Sequence, residues 1–222
     1  MPRRASAKIS SQHRDKRTRV RSNEVRGRII KAAIAVFTRD GFKGARMRSI
    51  AEDARVTVQL LAYHFQSKED LWKMGMLEIL NKFETLHTMN PIEHSWSATE
   101  RLRAHISNIV RFTASVPQLH RLMTQETGQL TPRLVWIIDN RIRRQFDEFC
   151  DMARAGQREG SVRPTNPTLL YYAVVGIASM SFSAASEYEY LTSKSPFTPS
   201  EIEHVIEMIN YTVFLRPEAG FK

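Results

Sequence analysis

From Ser22 onward, apolar residues recur every three or four positions, and the spacing predicts one helix after another. Val25, Ile29, Ala32, Ala33, Val36 and Phe37 fall on one face of a first helix. Ser22 or Asn23 can cap it, because a side-chain oxygen there accepts from an unpaired N–H of the first turn. Gly41 stops this helix, and residues 41–44 read as a turn. A short second helix places Met47, Ile50, Ala51 and Ala54 on one side. Arg55-Val56-Thr57 breaks it, and Thr57 can cap a third helix running to about Phe65. Ser67, with Asp70 three residues later, is a capping-box pattern that opens a longer fourth.

The rest of the chain is well punctuated. Asn90-Pro91 ends the fourth helix. Ser97-x-x-Glu100 opens a fifth that contains Leu102, Ile106, Ile109 and Val110, and Pro117 breaks it. A sixth, with Leu119, Leu122 and Met123, runs to Gly128. Thr131-Pro132, Asn166-Pro167 and Thr198-Pro199 each set a cap residue before a proline at the first helical position, where the missing N–H costs nothing. They open segments of about 24, 25 and 18 residues. No stretch alternates as a strand does and no repeat is present, so the expected fold class is all-α with about nine helices.

Composition keeps this picture and charge sharpens it. Of 222 residues, 42% are hydrophobic and 25% charged, which are globular values. No uncharged apolar run reaches the ~18–20 residues of a membrane span, and Met1-Pro2-Arg3-Arg4 lacks the apolar stretch of a secretory signal. Cys150 is the single cysteine, which excludes an internal disulfide or a multi-cysteine metal cluster and fits a reducing, cytoplasmic location. The net charge is +10, but residues 1–74 hold 18 Lys and Arg against 7 Asp and Glu, a net of +11, and residues 75–222 a net of −1. Residues 1–21 carry eight of these cations and almost nothing apolar, so they read as a mobile basic arm. Such asymmetry points to a polyanion, nucleic acid first. An anionic membrane surface or mere solubilisation are the alternatives.

Helices two and three, joined by a short turn within this basic third, have helix-turn-helix proportions over about residues 46–65. At 100° per residue, Leu61 and Phe65 define the buried face of the third helix, and Gln59 and Tyr63 point away from it. Gln can bond an adenine edge, Tyr can reach phosphate or sugar, and Leu60 and Val58 can pack on thymine methyls. Residues Arg46 to Leu71, RMRSIAEDARVTVQLLAYHFQSKEDL, resemble the DNA-binding signature of the TetR (tetracycline-repressor) family, with similarity over about residues 23–83. The resemblance implies an N-terminal helix-turn-helix domain (22–83), a larger C-terminal helical effector-binding and dimerisation domain (84–222), and a homodimer on a palindromic double-stranded operator. Thr57, Val58, Gln59, Leu60 and Tyr63, with His64 beside them, match the family's DNA-contacting region, and Lys68 matches its phosphate-contacting lysine. Ser67, Lys68 and the free N–H groups of that helix terminus also make a phosphate seat on chemical grounds. Three residues depart from the family pattern. Arg55 replaces the turn glycine, Arg46 replaces a Ser or Thr cap, and Ala62 replaces a common tyrosine. Arg46 and Arg48, and with them Arg55, are expected to exchange local stability for phosphate attraction.

For the second domain the resemblance suggests that the last two long helices pair with their twins. Ala173, Gly176, Ile177, Met180 and Ala184 make one small-and-apolar face, and Ile202, Val205, Ile206, Ile209 and Val213 a matching stripe; an internal core is the competing reading. Candidate walls of an effector site are Phe112, Met123, Trp136, Phe146, Phe149, Cys150, Met152 and Tyr172, which would favour an apolar or aromatic small molecule, although such residues more often form plain core. His87, His94 and His105 lack the spacing of a helical zinc site, so no metal and no cofactor are expected. Cys150 reads as a buried structural thiol rather than a redox sensor. No glycine-rich phosphate loop, nucleophile-base ordering or paired-carboxylate site supports an enzyme. The function expected is a ligand-responsive repressor; an architectural DNA binder without a ligand is the alternative, separated from it by sequence preference and effector sensitivity.

Overall fold

The computed structural model describes the backbone of residues 3–93 and 95–215, and side chains from Val20 on, His87 excepted. The side chain of His87, all of His94 and the side chains of the arm's cations before Val20 lie outside these. The chain divides into two compact units, residues 1–78 and 79–222.

Unit one holds α1 (Arg3–Gly44), α2 (Met47–Asp53), α3 (Val58–His64) and the start of α4 (Lys68–Met89). Its core takes Ile29, Ala33, Val36 and Phe37 from α1, Ile50 and Ala51 from α2, Leu61 and Phe65 from α3 and its end, and Leu71, Trp72 and Met76 from α4. The expected apolar face of the first helix is therefore the one that is buried. Gly41 leaves helical geometry at φ 69° and ψ 171°, a conformation open to glycine and costly to other residues, and bends the end of α1. That bend lets Phe42 stack on Phe37 at 6.0 Å and meet the edge of Trp72 at 6.4 Å. The start of α1 corrects the sequence reading, because helix runs back to Arg3 through the stretch read as an irregular arm. Residues 3–21 contain neither Gly nor Pro, and Arg, Lys, Ala and Gln favour helix, so nothing local stops it propagating.

Unit two contains the rest of α4, then α5 (Ala98–Ser115), α6 (Gln118–Thr127), α7 (Pro132–Ile137), a π-helical turn (Ile138–Ile142), α8 (Arg143–Arg158), α9 (Pro167–Ser183), α10 (Ala185–Thr192) and α11 (Pro199–Val213). The punctuation read from the sequence acts as caps. Ser97 and Glu100 form a reciprocal capping box, with Ser97 N–H donating to Glu100 Oε2 at 2.9 Å and Glu100 N–H to Ser97 Oγ at 3.2 Å. These Ser97 bonds hold the Glu100 carboxyl below the usual carboxylate range. Thr131, Asn166 and Thr198 accept from Leu134, Thr168 and Glu201 N–H groups.

The core of unit two is built by α5, α8, α9 and α11 around Leu102, Ile106, Val110, Phe149, Val174, Phe182, Ile209 and Val213. Past α8 the chain returns through an isolated antiparallel bridge between Val162 and Phe214. Gly156 permits this return, since a Cβ there would sit 2.5 Å from Val162 Cγ2. At the α6–α7 corner the buried carboxylate of Glu126 takes Arg133 Nε at 3.2 Å and Nη2 at 3.0 Å, together with the Thr131 hydroxyl at 3.0 Å. This two-pronged pairing is what a buried charge requires.

Two long segments differ from the pattern-based reading. The segment opened at Pro132 is not uniform α-helix but carries the π turn, from which Arg141 reaches Asn81 Oδ1 of α4 at 3.3 Å. The segment opened at Pro167 breaks at Ala184 (φ −91°, ψ 25°), and α9 and α10 meet at a bend of 68°. Ser183-Ala184-Ala185-Ser186 contains no Gly or Pro, so tertiary packing rather than local propensity sets this break. Among the described residues, no single helix is long and apolar enough to cross a membrane.

Candidate nucleic-acid interface

The turn between α2 and α3 is fixed by backbone bonds. Val56 N–H donates to Ala51 O at 2.9 Å and Arg55 N–H to Glu52 O at 3.0 Å, the two bonds of a Schellman C-cap. Such a cap needs a left-handed residue, and Arg55 supplies it at φ 54°. Thr57 then caps α3, its hydroxyl accepting from Leu60 N–H at 3.1 Å. Arg46 sits at the N-cap of α2 without a side-chain cap bond. Both features match the sequence reading, and each is a local cost, about 1–2 kcal/mol for Arg55 and about 1 kcal/mol for the missing cap. Arg55→Gly is accordingly expected to stabilise unit one by about 1 kcal/mol. Denaturant unfolding that finds the variant no more stable would show the positive φ to be unstrained.

On α3 a single buried residue, Leu61, anchors the helix, leaving Val58, Gln59, Leu60, Ala62 and Tyr63 exposed, Tyr63 to 81%. His64 is half-buried, its ring edge-on to Tyr63 at 5.3 Å. The residues expected to face DNA on this helix are thus open to solvent. Arg46 and Arg48 are exposed beside it, Arg48 paired with Glu52 at 3.1 Å; an exposed pair of this kind is worth little and can be exchanged for phosphate. Lys68 has a further task that the sequence did not reveal. Its Nζ donates to Ala45 O at 3.1 Å and lies 4.7 Å from the Phe42 ring centre, tying the start of α4 to the α1–α2 junction. Arg26 of α1 likewise lies over the Phe65 ring at 5.4 Å.

In unit two the structure sorts the expected interface residues differently. Ile206, Ile209 and Val213 are core residues of the protomer, and Ile177, Ile202 and Val205 pack partly against that core. The stripe they form faces inward because α11 itself closes the unit. Of the rest, Ala173 and Ala184 are half-buried, and Gly176 and Met180 are exposed. The outward apolar surface of α9 and α11 includes Leu169, Tyr172, Met180, Met208 and Tyr211. A shallow groove of about 310 Å³ beside it is lined by Ile177, Met180, Ala184, Tyr188 and Leu191.

The effector-site residues also need one correction. Tyr172 points outward, and its neighbour Tyr171 is the one inside. Phe146 and Phe149 meet the Tyr171 ring at 5.0 and 5.5 Å, and Phe149 continues through His105 and Phe83 to Phe112. Burial pushes the Tyr171 phenol up to about 12, so it stays a neutral donor. Met152 is buried, and Met123 and Trp136 are half-buried on α6 and α7. Cys150 is buried, and desolvation raises its thiol above the ordinary value, as befits an inert structural cysteine.

Comparison with known proteins agrees with this geometry. Residues 29–73 match the family described as bacterial regulatory proteins, tetR family, and residues 95–183 match the tetracyclin repressor-like C-terminal domain. The HTH-type transcriptional regulator RutR of Escherichia coli (strain K12) is 26% identical over 146 residues, covering 66% of this chain and 68% of that protein. Two solved structures share the fold. The ketosteroid transcriptional regulator KstR2 of Mycobacterium tuberculosis superposes with a TM-score of 0.65 at 20% identity, covering 86% of this chain and 95% of that one. AibR, solved in complex with isovaleryl coenzyme A and operator DNA, gives 0.63 at 19% identity, covering 86% and 98%.

Proposed function

This chain belongs to the TetR family of transcription regulators and carries its DNA-binding helix-turn-helix, and from that premise we propose that it acts as a homodimeric repressor, held on a palindromic operator and released by a small-molecule effector. The observation that carries this reading is the outer face of α3, where Val58, Gln59, Leu60 and Tyr63 stand exposed together on the segment holding the chain's whole excess of positive charge. In a major groove, Gln59 bonds an adenine edge, Val58 and Leu60 pack on thymine methyls, and Tyr63 reaches the sugar-phosphate wall. Arg46, Arg48 and a remaining N–H of Lys68 take phosphates, joined by the basic arm of residues 1–21. These contacts fix position without reading sequence. The exposed faces of α9 and α11 pair with their twins, which sets the separation of the two reading helices. An effector in unit two favours a conformation with the wrong separation and so lowers operator affinity. The AibR complex, which contains both a ligand and operator DNA, supports that combination of partners.

The test is fluorescence anisotropy with DNA from upstream of the protein's own gene, over a salt series with scrambled competitor. A palindromic footprint that survives near-physiological salt is the expected result. Equal affinity for scrambled DNA, together with failure of a random-sequence selection to yield a palindrome, would overturn it.

A further inference from the structure

Unit two carries a polar stripe along a face of α5 that is otherwise core. Arg101, His105, Asn108 and Phe112 follow at spacings of four, three and four residues, so they share one side of the helix, next to the Leu102, Ile106 and Val110 face. His105 and Asn108 are buried to 1% and 2% exposure. Arg101 is half-buried, and its guanidinium Nε is shut from solvent with no hydrogen-bond acceptor. Aromatic rings wall the stripe. Phe83 of α4 meets His105 at 6.1 Å and Phe112 at 5.1 Å, and Phe149 of α8 meets His105 at 6.2 Å.

Buried donors are nearly always paired, and a cationic donor needs its acceptor more than a neutral one does. We propose that the missing acceptor is the effector, and that the effector is an organic anion, a carboxylate carrying an apolar or aromatic body. Its head takes the two-pronged fork of Arg101, for which a planar carboxylate is the natural match. Its body lies along α5 toward Phe112, between Phe83 and Phe149. The rings are closed on one another in this structure, so entry has to part Phe83 from Phe112. The inference rests on the reading that unit two receives a small-molecule effector, and it narrows the class from apolar or aromatic to acidic and apolar.

The test uses four probes on the full chain: octanoate and 4-phenylbutyrate, and their neutral partners octanol and 4-phenylbutanol. Thermal unfolding reads binding, and operator anisotropy is followed in parallel. The expected result is that at least one carboxylate raises the unfolding midpoint and its alcohol does not. Arg101→Gln then weakens that carboxylate on the order of tenfold to a hundredfold, the loss of a charge-assisted pair, and leaves alcohol binding as it was. Because a guanidinium Nε shut from solvent without an acceptor is removed, Arg101→Gln without ligand should unfold no earlier than the natural chain. Should it fail to fold, Arg101→Lys replaces it, with a weakened but surviving preference for the acid. Equal binding of acid and alcohol, an unchanged preference in the variants, or no shift with any probe would each overturn the inference. Acid binding that depends on Arg101 but leaves operator affinity unchanged would support the ligand class and count against release of a repressor by it. Operator release by the alcohols alone would do the reverse.

Discussion

Gln59→Ala and Tyr63→Ala each lower operator affinity by roughly tenfold to a hundredfold and leave the unfolding midpoint where it was. The magnitude follows from the value of a good base or groove contact, about 1–3 kcal/mol. The unchanged midpoint follows from exposure, since Tyr63 contributes almost nothing to the core and its ring touches only His64 among the aromatic pairs formed on α3. The two variants should differ in kind. Gln59→Ala relaxes the preference at one base pair, because a bidentate pattern on adenine is lost. Tyr63→Ala weakens all sequences more evenly, because a phenol against the sugar-phosphate wall carries little sequence information. Anisotropy titrations against the operator and single-base variants, paired with thermal unfolding, read both effects. Affinities within twofold of the natural chain for both variants would remove α3 from the reading role.

Gly176→Arg separates protomers and lowers operator affinity by at least about a hundredfold. Gly176 is exposed on α9, and an added Cβ meets nothing within 4 Å inside the protomer. Any ordinary side chain is better than glycine in a helix, by up to about 1 kcal/mol, so the protomer itself is not harmed. A long cation there is damaging only if another helix comes close, which is what pairing through α9 and α11 requires. Loss of the pair then removes the high effective concentration of the second reading helix, commonly worth 10²–10⁴ in affinity. Sedimentation or light scattering reads the mass. A variant that stays dimeric with full operator affinity would place the interface elsewhere. Ile209→Ala is the contrasting change. Ile209 is fully buried within the protomer, so its loss is expected to act on folding rather than pairing.

The contrast between Gly176 and Ile209 marks where sequence was enough and where it was not. From Ser22 on, the helix boundaries of unit one were legible because their signals are local. Gly41, Thr57 and Ser67 each act on a backbone group one to four residues away, and the left-handed φ of Arg55 is what its place at the family's turn glycine implies. Unit two depends on which apolar face meets which partner. Leu170, Val174, Ala178 and Phe182 line one side of α9, while Tyr172 and Met180 lie on another. A helix apolar on several faces has no periodicity to choose between Tyr171 and Tyr172, or between a core stripe and an interface stripe. The break at Ala184 and the continuation of α1 back to Arg3 share this cause, because neither is marked by a residue that dictates a backbone angle. Arg101 is hidden for the opposite reason, since a single arginine on a polar helix face reads as solvated until the enclosure of its Nε is known.

The π turn between α7 and α8 has a consequence for how such a helix is encoded. The buried positions before it, Leu134 and Ile137, and those after it, Phe149, Cys150, Met152, Ala153 and Gly156, do not fall on one stripe of a uniform α-helix. At about 100° per residue the second set lies about a quarter turn out of phase with the first. One extra residue wound into the turn corresponds to one such step and brings both sets to the same side. The amino-acid pattern therefore contains a phase slip of a single position, with no glycine or proline between Arg133 and Ala155 to mark it. Losing one residue within Ile138–Ile142 would straighten the helix and leave both stripes aligned, whereas the same loss between Phe149 and Met152 would turn the remainder of α8 toward water.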